Sequence, residues 1–245
     1  MERAQKERNM DKITRYTLFI TLQLFSLFSV VYFSITGKPS QVFLGVLSIL
    51  FLCLPALAQK LFKMQIGLPM YAFILLYAVC PMLGHSYKFY YLLPWWDTFL
   101  HTVGGVVFAV FGAYLPRCIL KKQQVSVALC VLAGVCFSIS ISVIWEIIEY
   151  IADSFFNTDM QQDTFVYSLR SYLLGDKLGV IGEIGEVTSV TVNGTLLQGY
   201  IDIGLIDTMT DIIFETLGAV VYAIIYCIDK GKRFAFRYIG ETQNE

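Results

Sequence analysis

Trp145-Glu146-Ile147-Ile148-Glu149-Tyr150-Ile151-Ala152-Asp153 closes an apolar run that begins at Val125. The run is longer than the roughly 20 residues a bilayer-crossing helix needs, yet it ends in three acids spaced i, i+3 and i+7. On a helix that spacing puts all three carboxylates on one face. An acid at the bilayer centre costs roughly 2.5–3.5 kcal/mol on insertion scales, so such a face needs a metal ion, protons, water or polar partners. Two other segments share the pattern. Asp97 and His101 stand one turn apart in Trp96-Asp97-Thr98-Phe99-Leu100-His101, and Asp207, Asp211 and Glu215 step by four along a third apolar run. We read the three helices as converging on one site.

The whole chain belongs to the membrane class. Its 245 residues are 56% hydrophobic and 15% charged, with positive mean hydropathy, which excludes an ordinary soluble domain. The six cysteines lie in or beside apolar runs, without Cys-x-x-Cys spacing. They read as small buried hydrophobes rather than as disulfides or metal ligands.

The sequence predicts an all-α polytopic membrane protein, a bundle of about six transmembrane helices. A polar cytoplasmic arm, 1–12, precedes spans at about 13–35, 42–62, 68–83, 97–115, 125–153 and 205–228, with the fourth closed by Pro116-Arg117. An aromatic loop from His85 to Trp96 suits the membrane–water interface. Residues 154–204 form a cap loop, in which Thr188 to Val192, Asn193-Gly194 and Thr195 to Leu197 predict a small β-hairpin with a two-residue turn. Residues 229–245 are a tail. Of the 18 Lys and Arg residues, only Lys38, Lys88, Arg170 and Lys177 fall outside if the first end is cytoplasmic. By the positive-inside rule both termini face the cytoplasm and the cap is extracytoplasmic. The basic tail Lys230-Gly231-Lys232-Arg233 reads as a topology signal and a contact for anionic lipid, not as a nucleic-acid patch. No oligomeric state is specified.

Depth follows from the helical rise of about 1.5 Å per residue. Asp97, Asp153 and Asp207 lie near the outer interface, His101, Glu149 and Asp211 about a turn deeper, and Glu146 and Glu215 deeper still. Small or polar residues continue each stripe below the acids: Gly105 and Ala109, then Ser142, Ser138 and Gly134, then Gly218. Such stripes let membrane helices approach closely. No Lys or Arg lies within the three spans, so the cavity is negative. The expected ligands are Asp97, His101, Glu146, Glu149, Asp153, Asp207 and Asp211, with Glu146 also a general base and Glu215 left outside the set. Oxygen-rich sites with one imidazole suit Mg, Mn, Ca, Zn or Fe. Two alternatives are passage of protons or cations without stable metal, and a polar core that only holds the helices together.

Trp96-Asp97-Thr98-Phe99-Leu100-His101 with Gly104-Gly105, Trp145-Glu146 with Glu149-Tyr150 and Asp153, Asp159-Met160-Gln161, and Gly199-Tyr200-Ile201-Asp202-Ile203-Gly204-Leu205-Ile206-Asp207-Thr208 with Asp211 and Gly218-Ala219 appear in order. In these motifs the chain resembles the YjdF-type family of bacterial inner-membrane proteins, over roughly residues 90 to 225. The resemblance implies a multi-pass protein of the bacterial plasma membrane and brings no activity with it. On the site alone, the leading reading is a metal-dependent hydrolase acting on a lipid or envelope-linked phosphate or ester. The second is a transporter for a divalent cation or protons, and the third a metal-sensing or assembly protein. The topology is checked by labelling Ser154→Cys and Ser189→Cys with an impermeant thiol reagent on an otherwise cysteine-free background. Both should react in intact cells, and reaction only after lysis would invert the orientation.

Overall fold

Apolar runs of this length become unbroken helices because hydrocarbon offers no partner to a bare backbone amide or carbonyl. The structure, a computed structural model, describes residues 2–121, 124–229 and 239–241. Its helices are α1 (Glu2–Ile35), α2 (Pro39–Phe62), α3 (Leu68–Ser86), the short α4 (Phe89–Leu92), α5 (Trp96–Leu120), α6 (Val127–Phe156) and α7 (Leu205–Asp229). Six of these, all but α4, are long and apolar enough to cross a membrane. The polytopic helical bundle is therefore present. Lys122 and the basic residues Lys230, Lys232, Arg233 and Arg237 lie outside the described residues.

The chain divides into two compact units, Met1–Thr158 with Asp211–Glu245, and Asp159–Thr210. Within the helical unit, α5 meets α6 and α7 along faces stripped of side chains. A Cβ on Gly105 would lie 2.0 Å from the carbonyl oxygen of Glu215, and one on Gly218 would lie 2.1 Å from that of Thr102. Only glycine lets the α5 and α7 backbones come so near. Ser138 on α6 reaches the same level, its Oγ donating to the Gly105 carbonyl at 3.1 Å.

Three features depart from the sequence reading. Helix α5 does not close at Pro116-Arg117 but runs on to Leu120, and Lys121 then ends it at φ +51°. Proline at 116 removes only one intrahelical bond, which a membrane helix tolerates near its end. The second is a strand pair absent from the hydropathy pattern: β1 (Met64–Ile66) pairs antiparallel with β8 (Ile239–Glu241). Arg15 of α1 fixes β1 by donating to the Ile66 carbonyl at 2.6 Å while its guanidinium lies over the Tyr71 ring. Cysteine burial also differs, because Cys130 is buried while Cys53, Cys136 and Cys227 are exposed on helix faces.

The second unit is built of short antiparallel pairs: β2 (Phe165–Val166) with β7 (Tyr200–Ile201), β3 (Leu169–Ser171) with β4 (Gly182–Ile184), and β5 (Val190–Val192) with β6 (Thr195–Leu197). The last pair is the expected hairpin. Its turn residues Asn193 and Gly194 have φ of +48° and +85°, the signs that a type I′ turn requires. Asp202 ties this unit together, accepting from Thr164 N at 2.8 Å and Ile206 N at 2.7 Å. Slight burial opposes ionisation, but these backbone amides outweigh it and hold the Asp202 carboxyl below its ordinary range.

The glycine contact gives a direct stability test. Gly105→Ala should cost at least about 1–3 kcal/mol, the usual range for overpacking. Gly185→Ala, where an added Cβ meets nothing within 4 Å, should change stability by less than about 0.5 kcal/mol. Thermal unfolding of the purified protein in detergent measures both.

Candidate metal centre

Each of the three helices presents its acids at helical spacing on the face that turns inward. Asp97 and His101 come from successive turns of α5, Glu146 and Glu149 from α6, and Asp211 and Glu215 from successive turns of α7. His101 is the hub. Its Nε2 lies 3.4 Å from Asp211 Oδ2 and 3.7 Å from Asp97 Oδ1, and its Nδ1 lies 3.6 Å from Glu215 Oε2. Each imidazole nitrogen thus faces carboxylate, a geometry that holds the ring's orientation from both sides.

Two groups of three have ligand atoms within 4.8 Å of one another: Asp97, His101 and Asp211, and Glu146, Glu149 and Asp211. Ligands on opposite sides of one cation at about 2.0–2.6 Å are at most about 4–5 Å apart, so either group could hold an ion. Asp211 belongs to both. Burial is nearly complete, with Glu149, Asp211 and Glu215 each only 2% exposed. Three carboxylates, of Asp97, Asp211 and Glu215, face the imidazole, and through Asp211 the cluster extends to Glu146 and Glu149, so even a protonated His101 would offset only one of five acids.

Of the seven residues read from the sequence as ligands, Asp97, His101, Glu146, Glu149 and Asp211 fall in these two groups. The other two belong to neither group. Asp153 accepts a short hydrogen bond from Thr158 Oγ1 beyond the end of α6, and Asp207 accepts from Gln162 N at 3.0 Å within the second unit. Gln161, from the same segment, donates to Thr208 Oγ1 at 2.6 Å. Glu215, left out of the sequence-based set as too deep, is against His101 and also takes part of the Ser138 hydroxyl proton at 3.4 Å. The signal for it was present in the repeat of four that links 207, 211 and 215. Ser138 itself belongs to the stripe of small and polar residues on α6.

A cavity of about 360 Å³ adjoins the cluster. Asp97, His101 and Glu215 line one end, and most of the remaining wall is apolar. On α5 its wall runs from Asp97 to Leu115, a span of about 27 Å at the helical rise of about 1.5 Å per residue.

With this geometry in place, residues 17–231 match the family described as predicted membrane protein (DUF2238). The chain belongs to this family. The match takes in five of the spanning helices whole and the apolar part of α1. No curated protein and no solved structure matches the chain. This DUF2238 protein is thus a multi-pass membrane protein with a buried carboxylate and histidine cluster.

Ser138 offers a check on the packing of the cluster. Ser138→Ala removes a buried hydroxyl that serves Gly105 and Glu215, and should lower stability by about 1–3 kcal/mol, the cost of leaving buried acceptors short. Ser140→Ala, whose hydroxyl only bonds the Cys136 carbonyl in its own helix on an exposed face, should cost less than about 0.5 kcal/mol. Denaturation in detergent distinguishes them.

Proposed function

We propose that this protein binds one or two divalent cations between α5, α6 and α7 and uses them to hydrolyse a phosphate or ester. The observation that carries the reading is the pair of ligand groups sharing Asp211. Two-metal hydrolytic sites hold their ions about 3.5–4 Å apart, a separation that a bridging carboxylate suits. Asp97, His101 and Asp211 would hold one ion, and Glu149 and Asp211 the other. Glu146 would complete the second site or take a proton from the attacking water. Glu215 and Ser138 would orient His101 from behind, as ligand-supporting partners do. When bound, the cations supply Lewis-acid polarisation of the phosphoryl or carbonyl oxygen. Mg, Mn, Ca, Zn and Fe are all compatible with carboxylates and one imidazole.

The resemblance to YjdF-type proteins supports placing the chain in a bacterial inner membrane. The Lys and Arg distribution supports cytoplasmic termini and a site that opens outward. Transport of cations or protons is disfavoured by the cavity wall. From His101 to Tyr114 its α5 lining is Val107, Phe108 and Phe111, about 20 Å without a charged ligand. Metal sensing would need the same ligands without hydrolysis.

Elemental analysis of the purified protein tests the metal, and release of nitrophenol from p-nitrophenyl phosphate and p-nitrophenyl butyrate tests the chemistry. Asp211→Asn should reduce bound divalent metal at least tenfold, since even supporting partners affect affinity by about 10–100-fold. Glu146→Gln should reduce turnover by about 10²–10⁴ as a lost general base. Metal content unchanged in Asp211→Asn, or absent from the wild type after growth with each metal, would overturn the reading.

A further inference from the structure

The cavity that ends at Asp97, His101 and Glu215 has a shape and chemistry that the metal centre does not require. Most of its wall comes from α2, α3, α5 and α6, and two prolines inside helices, Pro55 and Pro81, are part of it. Each proline lacks the amide for an i→i−4 bond and crowds the preceding turn, which resists straight, close packing at that level. A space between helices is the result.

Three properties define what the space would accept. Its volume of about 360 Å³ is more than twice the roughly 150 Å³ of an apolar cavity that takes a benzene ring. Its α5 wall extends about 27 Å, against about 15 Å for one leaflet of a hydrocarbon core about 30 Å thick. The space is therefore long and narrow. Finally, two of its lining residues, Leu54 on α2 and Ile144 on α6, are 49% and 52% exposed. Both lie well inside spanning helices, so the cleft reaches the surface where acyl chains, not water, surround the protein.

We propose that this cleft takes one long hydrocarbon chain of a membrane lipid, entering sideways between α2 and α6, with its head at the Asp97–His101–Glu215 end. The amphiphile matches the wall, apolar along its length and charged at one end. A water-soluble substrate would leave most of that wall unused. The position of the head rests on the metal-centre reading, since the carboxylates attract a phosphate or ester head only through bound cations. Occupancy by the chain does not depend on it. The substrate class of the hydrolase is then a single-chain or chain-extended lipid whose phosphate or ester bond lies at its head.

The test uses the full-length protein in lipid vesicles and hexadecanol carrying a diazirine at the chain end, a neutral probe that the carboxylates do not repel. After illumination, adducts should concentrate at Phe111, Tyr114 and Phe137 and be displaced by unlabelled hexadecanol. Ala58→Phe and Ala78→Phe, which narrow the cleft from two helices, should each lower that labelling about tenfold, within the range of overpacking costs. Leu54→Trp at the rim should slow it without disturbing the folded core. Asp211→Asn should retain the labelling while losing metal, so failure of the metal reading leaves this result intact. Adducts only on lipid-facing residues such as Ile213 and Leu217, or labelling unaffected in all three cleft variants, would overturn the proposal.

Discussion

Helices α5 and α7 approach so closely at Gly105 and Gly218 that neither position has room for a methyl group. In a bilayer no hydrophobic force drives helices together, and close backbone packing takes its place. That contact determines what happens one to two turns away. With the two backbones fixed at Gly105 and Gly218, Asp211 and Glu215 have little choice but to share a volume with His101. The favourable packing of one level thus forces like charges together at the next.

That crowding bears on what the cluster could bind. Carboxylates held within a few ångströms in a water-poor bundle repel one another strongly, because the low dielectric leaves little screening. A divalent cation held there would relieve the repulsion and would supply Lewis-acid chemistry. The cleft along α5 adds the second half of the account. It offers an apolar path that ends at the charged cluster, so a ligand long enough to fill it brings its polar end to the carboxylates.

Much of this architecture was legible in the sequence, and the reasons are physical. Hydropathy reports the spans because hydrocarbon imposes helix on any apolar run of sufficient length. Helical spacing reports faces, so the pairings Asp97 with His101 and Glu146 with Glu149 could be read directly. Asn193-Gly194 announced its turn through the φ signs that few other residues adopt. What escaped notice depends on contacts distant in sequence. The pairing of β1 with β8 joins segments more than 170 residues apart, and no local pattern encodes it. The passage of α5 through Pro116 was hidden because a proline near a helix end is tolerated in one context and terminal in another. Residues sharing a stripe, such as Asp207 and Asp211, differ in their partners, since Asp207 is taken by the Gln162 amide. The cleft arises from four helices at once, and single-helix periodicity carries no trace of it.

The central claim is that side chains from three membrane-spanning helices would share the coordination of one cation, with His101 among its ligands. X-ray absorption at the manganese edge, on purified protein loaded with Mn²⁺, probes that coordination directly. The account predicts an oxygen-rich first shell containing one imidazole, with the imidazole contribution lost in His101→Gln. A spectrum of hydrated manganese, the same in both proteins, would contradict it.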